Sequence, residues 1–218
     1  MIKRIERLVE NPYMWLSTSG QKCAFIALLA LTLVVMVSLN ALGGPLNTEV
    51  APLGIVSFEF AGELSLAQSM VESWGQAGQV YAGLNLGLDY LFIVAYSSCI
   101  ALGCVLVARS LSESNSAQPG SPDPGRKREA TAVARNPLRA ISDVGALLAW
   151  AQFGAALLDA VENYALIQVL LGSQQASWPV VARWCAIPKF LIIAAGLVYV
   201  GVGTGWVLVA KFRRQGER

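Results

Sequence analysis

Histidine is absent from the chain. Its absence removes the commonest general base and the commonest transition-metal ligand together. Cysteine is scarce, and the four present form no CxxC pair and no metal-ligand spacing, which excludes a zinc ribbon and the four-helix quinone-linked thiol oxidoreductases. Cys23, Cys99 and Cys104 fall on one half of their apolar runs and Cys185 near the opposite end, so Cys185 has no disulfide partner in prospect. There is no G-x-x-x-x-G-K-[ST], no HExxH and no GxSxG, hence no phosphate loop, zinc-protease helix or nucleophile elbow. Gly201-Val202-Gly203-Thr204-Gly205 lies deep in an apolar run without the strand a nucleotide loop needs, and reads as a packing surface. No metal, cofactor or catalytic residue is expected on these grounds.

Charge is also scarce, at 14% of residues against 55% hydrophobic ones, a balance too apolar for a soluble domain of this size. The apolar excess is concentrated in runs 23–42, 84–108, 144–171 and 184–210, each reaching the ~20 residues that cross hydrocarbon. They are apolar nearly all round, unlike the one-sided helices of a soluble bundle. The expected fold is an all-α membrane protein, a small bundle of four transmembrane helices. The first run also admits a signal-peptide reading, with Ala41-Leu42-Gly43 as a small-residue site, but its length and long basic lead favour an uncleaved anchor.

Basic residues are missing from 43–83, and 172–183 holds none before Arg183. They gather instead at Lys3, Arg4, Arg7 and Lys22, between Arg109 and Arg139, and from Lys211 to Arg218. The positive-inside rule then places both termini in the cytoplasm of a cell, a multi-pass arrangement in what reads as a bacterial inner membrane. The basic clusters are topology signals and give no reason to expect nucleic acid. The chain divides into an amphipathic lead (1–22), a first hairpin (23–108) with an outer loop (43–83), a disordered basic linker (109–142), a second hairpin (143–210) and a basic tail (211–218). Within the outer loop, Val56, Phe58 and Phe60 alternate with polar residues and predict an extended or irregular piece. Leu66, Met70 and Trp74 predict an amphipathic helix from about Leu64 to Gln76 on the outer face. Glu49, Glu59, Glu63 and Glu72 make the loop acidic, either a solvated surface or a lid and funnel for cations.

The polar exceptions inside the apolar runs define the candidate site. Asp159, Glu162 and Asn163 stand at i, i+3 and i+4, on one face of the third helix. An ionised Asp near the middle of a spanning helix costs about 2.5–3.5 kcal/mol, so such residues face protein, a partner or water. Asp89 and Tyr90 enter on helix two and Lys189 on helix four, at similar depths, and Glu59 is placed to descend from the loop. Side chains lean toward their helix N-terminus, so Lys189 is expected to meet Asp89 more easily than Asp159, with Glu162 intermediate. Asp89, Asp159 and Glu162 against Lys189 leave two negative charges unmatched; a proton, Arg183 or a bound cation must answer them.

Three functions fit. One is an outward-opening polar pocket that binds or passes a proton, a cation or an amphiphile carrying one. The second is an assembly subunit whose buried charges are interhelical clasps. The last is a lipid-modifying enzyme using Asp159 and Glu162 as acid and base. Besides lipid, the expected partner is a second copy or another membrane protein, because four helices make a thin wall.

Overall fold

The computed structural model describes residues 12–116 and 137–216. Every element among them is helical: α1 (Thr18–Gly43), a 3-10 turn (Gly44–Leu46), α2 (Ile55–Glu59), α3 (Leu64–Ser73), α4 (Gly75–Ser116), α5 (Pro137–Leu170) and α6 (Ser177–Gly216). Four of these are long and apolar enough to cross a membrane, the signature of a multi-pass membrane protein.

The helices outrun the apolar runs that mark them. α4 begins at Gly75 and α6 at Ser177, and helix extends into 109–116 and 137–142, where a linker is expected. Hydrophobicity marks what hydrocarbon can hold, whereas a helix continues for as long as each backbone N–H finds its i−4 carbonyl. Pro137 opens α5, a position where its missing N–H costs nothing. The lead at 1–11 and the rest of the linker, 117–136, lie outside the described residues. Pro188 lies inside α6, so the carbonyl of Trp184 receives no helical N–H at that turn.

The piece around Val56 is a helical turn, not a strand. Gly54, at φ +57°, reverses the chain, and Ser57 Oγ accepts from Leu53 N–H at 2.9 Å. Phe58 and Glu59 turn inward while Val56 and Phe60 stay partly exposed. Alternation at i, i+2 is therefore coincidental here. Gly75, at φ +61°, separates α3 from α4, a conformation that costs any L side chain roughly 1–2 kcal/mol.

The chain forms two compact units, each taking a segment of all four long helices. In the unit of Ile26–Cys99 and Gln152–Ile193, the core joins α2 and α3 to the long helices: Leu46, Phe58, Met70, Trp74, Leu86 and Leu166 are buried together. Phe58 meets Trp74 edge-on at 5.2 Å, and Trp74 Nε1 donates to the Leu46 carbonyl at 2.8 Å. That bond ties the start of the 43–83 segment to its end. In the unit of Met1–Phe25, Ile100–Ala151 and Ala194–Arg218, Arg109 Nη1 donates to Thr18 Oγ1 (2.8 Å) and Gln21 Oε1 (3.1 Å). Tyr199 OH donates to the Ile141 carbonyl at 3.0 Å, and Gly203 gives Val107 room against α6. α4 is the most buried of the four long helices, with 72% of its most apolar stretch buried against 6% for α1.

Candidate functional site

α5 and α6 are joined by a short link and so lie antiparallel as neighbours. At 1.5 Å per residue, Lys189 lies roughly 18 Å from the start of α6 and Asp159 roughly 17 Å from the end of α5. The two therefore meet at one level. Lys189 Nζ donates to Asp159 Oδ1 at 2.8 Å and to Glu162 Oε1 at 2.7 Å, and lies 3.6 Å from Glu59 Oε2. It also sits 4.8 Å from the Phe190 ring centroid. All four ionisable groups are buried, Glu162 completely. Asp159 is fully served, because Tyr96 OH donates to its other oxygen at 2.7 Å.

Asp89 does not meet Lys189 directly, contrary to the sequence expectation. Its Oδ2 accepts instead from Asn163 Nδ2 at 2.7 Å. The depth count from the apolar runs starts α4 and α6 too late, and it misjudges which groups share a level. Glu59, at the end of α2, joins the cluster from outside the four long helices. Tyr90 stands apart, its hydroxyl donating to the Ala160 carbonyl at 3.3 Å and its ring partly exposed. Arg183 lies against Gly62. The cluster thus gathers Glu59, Asp159, Glu162 and Lys189, with Asp89 and Asn163 beside it.

A cavity of about 310 Å³ adjoins the cluster. Glu59, Asp89, Asn85 and Asn163 give it a polar floor, while Leu39 and Phe92 are among its apolar walls. Met36 of α1 and the segment Leu53–Val56 also line it, with Met36, Leu53 and Val56 exposed as a rim. Asn85 Nδ2 donates to the Leu39 carbonyl at 2.9 Å, which pins α1 to α4 beside the cavity. Asn85 and Tyr96 fall outside the site set chosen from sequence, yet both share a face with Asp89, at i−4 and i+7. That spacing is the signal from which they follow.

Chemically, the site offers anionic oxygens to a cavity and keeps its ammonium behind them. Burial pushes the Glu59 carboxyl above the ordinary glutamate range, against the opposing pull of Lys189. Two further oxygens in this unit lack hydrogen-bond partners, Glu162 Oε2 and Gln152 Oε1, although Gln152 Nε2 donates to the Ile192 carbonyl at 3.1 Å. Among the described residues no three Asp, Glu, Cys or His side chains converge as a metal cage. Compared with protein-family models, with curated proteins and with solved structures, the chain matches none.

Proposed function

We propose that the chain binds a cation with apolar flanks, such as the head of a cationic amphiphile, in the cavity floored by Glu59 and Asp89, and that this cavity opens toward the outer side of a cell membrane. The observation that carries this reading is a mixed apolar and polar cavity reaching the buried Glu59 and the half-buried Asp89, whose carboxylates no short ion pair neutralises. Lys189 makes its short ion pairs with Asp159 and Glu162 and stands farther, at 3.6 Å, from Glu59. Lys189, Asp159 and Glu162 form an interhelical clasp between α5 and α6. The remaining carboxylates supply negative potential in a poorly solvated pocket, where a cation is attracted more strongly than in water. An organic ammonium fits better than a small hydrated ion, because Leu39 and Phe92 meet alkyl groups while Asn163 orients the Asp89 carboxylate.

The test uses octyltrimethylammonium titrated onto the protein in nanodiscs of zwitterionic lipid, followed by calorimetry. Wild type is expected to bind saturably, and Asp89→Asn and Glu59→Gln to bind at least about tenfold more weakly, a loss of about 1.4 kcal/mol or more. Octyl glucoside, with the same chain and no charge, is expected not to compete. No saturable binding by wild type, or equal binding by both variants, overturns the reading.

A further inference from the structure

Glu59 and Glu162 both stand beside Lys189, whose Nζ lies 3.6 Å from Glu59 Oε2 and 2.7 Å from Glu162 Oε1, yet two ionised carboxylates offer only acceptors. Each has a buried oxygen without a hydrogen-bond partner, Glu59 Oε2 and Glu162 Oε2. Lys189 spends two of its three N–H groups on Asp159 and Glu162 and stays 3.6 Å from Glu59 Oε2, beyond a hydrogen bond, while the Tyr96 hydroxyl bonds Asp159. A single proton between the two glutamates converts facing acceptors into a donor and an acceptor and removes one excess negative charge. Glu59 is the member of the pair that lines the cavity.

Resting on the cation-binding reading above, we infer that Glu59 and Glu162 share one proton in the empty site, and that a cation entering the cavity displaces it. The exchange balances. The protonated pair and the free cation go to two carboxylates, one of them paired with the cation, and the proton leaves through the cavity mouth to water. The groups that face this pair from the packed helices are Asp159 on α5, Lys189 and Cys185 on α6, and Asp89 and Tyr96 on α4. α1 lends the cavity only the neutral Met36, Leu39, Asn40 and Gly43. Among them Lys189 is the sole cation, and it stays behind the carboxylates, so nothing already in the cluster replaces the proton. Burial raises the proton affinity of Glu59 in the same direction.

The quaternary head of octyltrimethylammonium has no proton to give, so any proton that appears on binding comes from the protein. Wild-type protein in weakly buffered nanodiscs is titrated with this cation beside a pH-indicator dye, and its affinity is measured over several pH values. One proton released per cation is expected, with an affinity that strengthens by up to about tenfold per pH unit until the pair is ionised. Glu59→Gln supplies an amide donor to Glu162 in place of the proton. It is expected to bind more weakly, with no proton released and little dependence on pH. Cation binding by wild type with no proton release and a flat pH profile overturns the exchange and leaves the cation site standing. No binding at all overturns both. The wild-type titration alone decides, whether or not the variant folds.

Discussion

Lys189 is the residue on which the buried charges depend. Its ammonium carries both short bonds of the clasp, and removing one partner of a buried ion pair leaves an uncompensated charge that costs about 3–5 kcal/mol. Lys189→Met is therefore expected to lower the melting temperature in detergent more than Tyr96→Phe, which removes one neutral donor. The double variant Lys189→Met, Glu162→Gln is expected to regain part of the loss, since it removes one of the two stranded carboxylates as well. A melting temperature for Lys189→Met within a degree of wild type would show that the clasp contributes nothing. Glu59 gives a second readout. Its raised proton affinity means that the folded chain keeps a proton which the unfolded chain releases. The stability this brings is full below the ordinary glutamate range and is lost as pH rises through it toward the folded value. In the absence of cation, the melting temperature should fall across that rise, and fall less in Glu59→Gln. The shared face of Asp159, Glu162 and Asn163 is readable from their spacing alone. Their pairing is not, because a long lysine side chain at the right level chooses among several acids, and the level follows from helix ends that polar residues conceal.

At the level of elements, four apolar runs identify four helices because hydrocarbon demands an unbroken apolar length. The same rule is silent about polar extensions, so the first turns of α4 and α6 escape it. α2 escapes for another reason: it is too short for its periodicity to be distinguished from alternation, and its direction is set by Gly54 and by the pocket that takes Phe58. Glycine placement within α6 separates packing from composition. A methyl group at Gly203 runs into Val107, whereas one at Gly205 meets open space. Gly205→Ala is expected to stabilise by up to roughly 1 kcal/mol through helix propensity. Gly203→Ala gains the same propensity but is expected to lower the melting temperature, and Val107→Ala in the same chain should restore most of it. Equal thermal shifts for the two single variants would remove the close α4–α6 approach as the reason for glycine at 203.

Over the whole molecule, the distribution of charge assigns a direction to the cavity. Four crossings would return the chain to the side on which it began, and the segments rich in Lys and Arg alternate with segments that lack them. The cavity belongs to the same compact unit as the basic-poor 43–83 segment and the link after α5. In that unit Gln68 Nε2 donates to Gln174 Oε1 at 3.1 Å, so α3 and the link report on one side. By the positive-inside rule that side is expected to lie outside the cell. Ala176 is exposed in the link, and Ser121 belongs to the basic segment. In a background with the four native cysteines replaced, Ala176→Cys is expected to react with a membrane-impermeant maleimide on intact cells, and Ser121→Cys only after lysis. The reverse pattern would turn the cavity toward the cytoplasm. A cation would then be captured from within, and the proton it displaces would be delivered to the cytoplasm.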